Sequence, residues 1–249
     1  MVLKHFDSGA HPLKQPVEKL ILNKYHNEPR HLQVELGPSE IGEECSRKLA
    51  YNLMHHDPVN VDSDPLPSII GTAAHTWLAD ACNMWNANVG RVDWIPELSL
   101  TVSGTISGHS DAYHVPSRRV VDWKFPGAEP LKGYRRNGPS LTYRGQVHCY
   151  GKGARNLGLP VDEVAIVFFP RGGNLSGTFY WSEPYDESVA DAALTRYWKL
   201  TELCVELELD THPERYELVD MVPGHHCTYC PWFAAAGKGT EGCPGFTKG

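Results

Sequence analysis

The run Val120-Val121-Asp122-Trp123-Lys124-Phe125 reads as a strand whose alternation puts Asp122 and Lys124 on one face and Val121, Trp123 and Phe125 on the other. Eleven residues before Asp122, Gly108-His109-Ser110-Asp111 supplies a second acid, which an antiparallel neighbour would bring beside the first. Two carboxylates with an adjacent amine suit a divalent cation. Such a cation lowers the pKa of a bound water and polarises a phosphate, while the amine stabilises the nucleophile or the developing charge. The cysteines form a second group with chemical potential. Cys227-Thr228-Tyr229-Cys230 is followed by Cys243-Pro244, and Cys45-Ser46-Arg47 stands far upstream. Four thiolates suit either zinc or an iron–sulfur cluster, and His225 and His226 beside Cys227 keep zinc open. Cys82, Cys149 and Cys204 fall within helical patterns and read as packed thiols.

The elements that must position these groups follow from periodicity. Residues up to 35 are polar and without a sustained period, a loose or partly helical lead-in. Glu40 to Met54 reads as one helix, and His55 to Pro67, with three prolines, as a loop. Ser68 can cap a second helix in which Ile70, Ala74, Trp77, Ala81 and Trp85 recur at helical spacing. His75 sits one position, about a hundred degrees, from the Ala74 side of that stripe. Strands are expected at Trp94–Val102, Thr105–His114 and Arg119–Phe125, an antiparallel meander turning at Ser103-Gly104. A helix from Ser140 to Asn156 places Gln146 and Tyr150, four apart, on one side. Strands at Glu163–Phe169 and Ser176–Trp181 and a helix from Asp186 to Leu209 complete the pattern. The last thirty residues, rich in Gly, Pro and Cys, are not expected to be ordered by local contacts alone. The fold class is α/β or α+β, a sheet sandwiched by helices.

The order of His75 after Gly71-Thr72-Ala73-Ala74, then Asp111, Asp122 and Lys124, then Gln146-Val147-His148-Cys149-Tyr150, resembles the PD-(D/E)XK nuclease superfamily in its RecB-like branch. That resemblance implies a restriction-endonuclease-like mixed central sheet flanked by helices. It further implies one nuclease domain over 1–249, with a lead-in at 1–38, a core at 39–220 and a cluster segment at 221–249. The roles implied are Mg2+ or Mn2+ binding by His75, Asp111, Asp122 and the Trp123 carbonyl, and positioning of the attacking water by Lys124. Gln146 and Tyr150 take a DNA-contacting or site-organising role. One early and three late cysteines resemble the iron-staple nucleases: the AddB-type helicase–nuclease subunit and the small CRISPR-associated and phage exonucleases. Arg47-Lys48-Leu49-Ala50-Tyr51 after Cys45 is similar to their Cys-Pro-Arg-Lys-aromatic segment, with Ser46 in place of the proline. The implied ligands of a 4Fe-4S cluster, with zinc as the alternative, are Cys45, Cys227, Cys230 and Cys243, which would pin the two ends of the chain together.

The expected function is a divalent-metal-dependent DNA exonuclease acting on single-stranded DNA or free ends, in recombination, repair or CRISPR-type processing. The alternative is a catalytically silent or partner-dependent DNA-end-binding protein with a structural zinc or iron–sulfur site. A homo-oligomer or recombination or CRISPR partner proteins are compatible with either. The net charge of -7 argues against uniform coating of nucleic acid. Yet residues 118–171 hold ten Lys or Arg against four Asp or Glu, and residues 182–220 hold three against eleven. The basic stretch suits a phosphate-tracking groove, with Arg47, Lys48, Arg135, Arg136 and Arg144 as candidate phosphate contacts and Tyr134 or Tyr143 as a base-stacking residue. With 249 residues, 41% of them hydrophobic, the chain can bury a core without staples. Its longest apolar run, Val164 to Phe169, is too short to span a bilayer, and seven scattered cysteines without an export signal point to reduced thiols and a cytoplasmic setting.

Overall fold

The computed structural model describes residues 13–27, 36–60, 64–234 and 242–245. Helix α1 (Lys14–His26) precedes two short helices, α2 (Pro38–Ile41) and α3 (Ser46–Leu53), and the long α4 (Leu66–Val89). Strands β1 (Trp94–Ser103), β2 (Ile106–His114) and β3 (Arg119–Lys124) follow as the expected meander. Helices α5 (Ala128–Asn137) and α6 (Leu141–Asn156) then carry the chain across to β4 (Glu163–Phe168). Strand β5 (Phe179–Pro184) and helix α7 (Glu187–Glu206) complete the core. The five strands lie in sequence order, antiparallel throughout except at β3–β4, where the helical crossover makes the pair parallel.

Local chemistry starts and stops these elements. The Ser140 hydroxyl accepts the Tyr143 N–H at the start of α6, and Asp186 accepts the Ser188 N–H at the start of α7. Gly90, at φ 69°, ends α4 in the left-handed conformation that a side chain would resist.

Alternation along the strands divides the apolar residues between two faces. Val120, Tyr113, Ile166 and Phe168 form a core with Val147, Tyr150 and Ala154 of α6 and Ala190 and Leu194 of α7. On the other face Ala112, Val121, Trp123, Ala165 and Val167 pack with Leu78 of α4, Trp94 and Phe169. A separate core joins Leu49, Ala50 and Tyr51 of α3 to Leu200 and Cys204 of α7 and to Tyr216, Trp232 and Cys243.

Two expectations are corrected and one helix is added. The helix expected over Glu40–Met54 is broken between α2 and α3, where α2 meets α6; a side chain on Gly42 would stand 2.5 Å from the Thr142 carbonyl oxygen. Helix α5 lies in a stretch for which the sequence reading names no element; burial of Leu131 and stacking of Tyr134 on Phe168 outweigh the local cost of Gly133. The strand expected from Ser176 begins at Phe179, after a 3-10 turn over Leu175–Gly177. No helix among the described residues is long and apolar enough to cross a membrane.

Candidate active site

Asp122 and Lys124 lie on the α6 side of β3, at the end where the sheet opens. The last β2–β3 pair is Ala112 with Val121, so the Trp123 N–H lies beyond the ladder. Asp111 fills the gap: its Oδ2 accepts the Trp123 N–H at 2.6 Å, while its Oδ1 lies 2.9 Å from His75 Nδ1 on α4. Lys124 Nζ stands 2.8 Å from Asp122 Oδ2 and donates to Gln146 Oε1 at 3.2 Å. The Gln146 amide nitrogen donates to the Tyr150 hydroxyl at 2.9 Å. The Lys124 ammonium also lies over the Tyr143 ring, 4.7 Å from its centre. All six sequence-predicted side chains, His75, Asp111, Asp122, Lys124, Gln146 and Tyr150, line one open cleft of about 820 Å³.

Asp122 is only 2% exposed, and its Oδ2 accepts no well-directed hydrogen bond although the ammonium is close. Burial pushes its carboxyl up to about 6; Lys124 pulls the other way and the Asp111 charge adds to the rise. For His75, burial opposes the charged form, but the hydrogen bond to Asp111 and the charges of Asp111 and Asp122 outweigh it and hold the imidazole above its ordinary value. The cleft therefore sets two carboxylates, one of them buried, beside an imidazole and an ammonium.

Glu97 is a further acidic residue of this cleft. Glu97 lies across from Asp111, between the pairs Pro96–Ala112 and Leu98–Ser110, and it lines the cleft with a left-handed φ of 47° inside a strand. Such a conformation costs a non-glycine residue about 1–2 kcal/mol, and nothing in the sequence signals it.

The four cysteines of the second group also come together. Cys45, Cys227, Cys230 and Cys243 line one small cavity of about 20 Å³ with Lys48, Tyr51, Met221 and Phe233. The late segment is held from outside itself: Cys243 N–H donates to Trp232 O, Trp232 Nε1 donates to His56 O, and Tyr51 stacks between Tyr216 and Trp232. Gly245 has a φ of 54°, and a side chain there would strike the Phe233 ring at 2.7 Å. The side chains of His225 and His226 lie outside the described residues. Cys82, Cys149 and Cys204 are buried thiols, and burial pushes Cys149 up to about 12 and Cys204 up to about 11. Among the described residues no three His, Cys, Asp or Glu side chains already converge at the spacing of ligands around one ion.

The expected phosphate and base contacts are redistributed. Arg47 is buried against carbonyl groups of the late segment, Lys48 pairs with Glu43, and Arg144 pairs with Glu183. Arg135 donates to Gly177 O, and Arg136 Nε reaches the Asn137 side chain. Tyr134 and Tyr143 pack against the main core beside Phe168. A count of charges along the chain cannot see the pairings of Arg47 and Arg144, whose partners are brought in by the fold.

No protein-family model matches the chain. No curated protein matches it either. Solved structures similar to it include an alkaline exonuclease (LHK-Exo) from Laribacter hongkongensis, 10% identical over 75% of this chain and 95% of that one, with a TM-score of 0.48. A phage-related exonuclease from Haemophilus somnus 129PT is 13% identical over 65% of this chain and 81% of that one, at a TM-score of 0.42. LHK-Exo in complex with dAMP is similar at 11% identity over 73% of this chain and 97% of that one, with a TM-score of 0.41. These likenesses stand beside the geometry, and the chemistry of this chain follows from its own side chains.

Proposed function

We propose that this chain is a divalent-metal-dependent DNA exonuclease that hydrolyses phosphodiester bonds in single strands or at free ends, with the cleft around Asp122 as its active site. The observation that carries the proposal is a buried carboxylate, Asp122, in a cleft with a second acid, an imidazole and an ammonium. This donor set fits a hard cation: His75, Asp111 and Asp122 would hold Mg2+ or Mn2+. The Trp123 carbonyl would join them, since a strand residue's N–H and C=O point the same way and its N–H already meets Asp111. Such an ion lowers the pKa of a bound water and offsets charge on the phosphoryl oxygens.

The chain's own groups do the rest. Lys124, fixed between Asp122 and Gln146, directs a proton donor at the attacking water and at the charge that develops on phosphorus-bound oxygen. Gln146 cannot turn without losing either Lys124 or Tyr150, so the pair organises the lysine. Both are buried, which favours that role over direct contact with DNA.

The four cysteines would hold a 4Fe-4S cluster that fastens the late segment to α3. The donor chemistry, four thiols lining one pocket, suits either group, and the likeness of the Cys45-Ser46-Arg47-Lys48 segment to the iron-staple nucleases favours the cluster over zinc. Metal-binding energy would then add to the packing that closes the ends.

The test is digestion of end-labelled linear and closed circular single-stranded DNA by anaerobically purified protein, with and without Mg2+ or Mn2+. Metal-dependent loss of the linear strand, with circles surviving, is expected. An inert protein with its metals intact would favour the partner-dependent end-binding role, and cutting of circles would replace the exonuclease with an endonuclease. Iron and sulfide analysis decides between cluster and zinc.

A further inference from the structure

Arg47 follows Cys45 by two residues and is only 8% exposed, an unusual place for a guanidinium. Its backbone N–H donates to Asp220 O at 2.8 Å. Nε donates to Val219 O at 2.9 Å, and Nη2 donates to Glu217 O at 2.9 Å. The remaining arm, Nη1, lies 3.9 Å from Cys243 Sγ, within reach of an N–H···S hydrogen bond. One side chain therefore grips the segment entering the cysteine cavity and one of the four sulfurs lining it. None of these arms is left for a phosphate.

The chemistry of the arrangement is asymmetric. Arginine stays charged at any pH the protein meets, and burying that charge is costly unless something nearby is negative. Carbonyl groups at 217 and 219 offer dipoles and no net charge. The neutral thiol of Cys243 is a weak acceptor, but a cluster-ligating thiolate is a strong one and carries the missing charge. Lys48, which also lines the cavity, already pairs with Glu43.

We infer that Arg47 is the hydrogen-bond donor and counter-cation of the Cys243 corner of the cluster, a positioning residue that sets the cluster's reduction potential and slows its loss. The inference rests on the cluster proposed above. A cation and an N–H directed at a ligand sulfur stabilise the more negative, reduced state, so they raise the potential.

The experiment uses the full chain purified without oxygen, with iron and sulfide measured first, followed by an EPR-monitored redox titration and the rate of bleaching in air. Arg47→Gln is expected to load a cluster whose midpoint potential is lower than in the wild type and whose loss is on the order of tenfold faster. Arg47→Lys keeps the charge without the fork and is expected to fall between the two. A loaded Arg47→Gln protein with unchanged potential and bleaching overturns the role of Arg47 while leaving the cluster standing. A wild type free of iron and sulfide removes the cluster and the role together. Should the variants fail to accumulate, wild-type protein labelled with 15N-arginine decides the matter. A guanidinium nitrogen coupled to the reduced cluster in pulsed EPR is expected, and its absence overturns the assignment.

Discussion

The cleft and the cysteine cavity gather their side chains over very different lengths of chain. His75 and Asp111 are 36 residues apart and Asp111 and Trp123 are 12 apart, on elements whose neighbours are set by a meander. Arg47 and Cys243, at the cavity, are 196 residues apart. From 12 to 196 residues is about four doublings of loop length, at ~0.6 kcal/mol each, so closing the ends costs ~2.4 kcal/mol more. Burial of one aromatic such as Trp232 or Tyr51 contributes about 1.5–3 kcal/mol, enough to offset that difference. The cleft thus inherits its geometry from the sheet, whereas the cavity depends on a few long-range contacts that a bound group would reinforce.

The two regions should therefore respond separately. Lys124→Ala is expected to cut hydrolysis of a linear strand by about 10²–10³-fold while leaving iron content and resistance of the late segment to proteolysis unchanged. A parallel loss of the cluster in that variant would mean the regions are not independent. Cys227→Ser should do the converse: loss of iron and sulfide, faster proteolysis after residue 221, and a melting temperature lower by roughly 2–4 °C for each ~1 kcal/mol lost, with Mn2+ still bound in the cleft.

Asp122→Asn probes the cleft through pH. The folded carboxyl titrates above its ordinary value, so between 3.8 and about 6 the folded protein holds a proton that the unfolded chain has released. The wild type accordingly loses stability as pH rises through that window, and asparagine, which carries no charge, does not. In chelator, the variant should melt a few degrees higher than wild type at pH 8 and level with it at pH 4 by calorimetry, while being inactive with metal. Equal shifts at both pH values would show that buried charge is not the cause. Tyr150→Phe removes the oxygen that accepts from Gln146, worth ~1 kcal/mol and about a fivefold fall in turnover. Lys132→Ala breaks an ion pair with Glu129 on the exposed surface of α5 and should change neither rate nor stability measurably.

How much of this was legible depends on what set each position. The meander, α6 and α7 could be read because their apolar period matches what they bury; α4 was legible as a helix, but Trp77 and Trp85 of its expected stripe are exposed and Leu78 and Cys82 face the protein instead. Helix α5 could not be read, since Leu131 and Tyr134 acquire their value only against the core. The break at Gly42 was hidden because α6, which requires it, is distant in sequence. Glu97 and Arg47 show the same limit at the level of single residues. One takes a conformation its type disfavours, and the other is basic by composition yet buried by contacts from residues 217 to 220.

The most direct test of the cleft's chemistry needs no assumption about the substrate. Mn2+ binding followed by EPR, in wild type and in Asp111→Asn and Asp122→Asn with the cysteine group intact, should show a site in the wild type that both substitutions abolish. Binding of equal strength and number in all three proteins would contradict a metal-dependent active site built on Asp111 and Asp122.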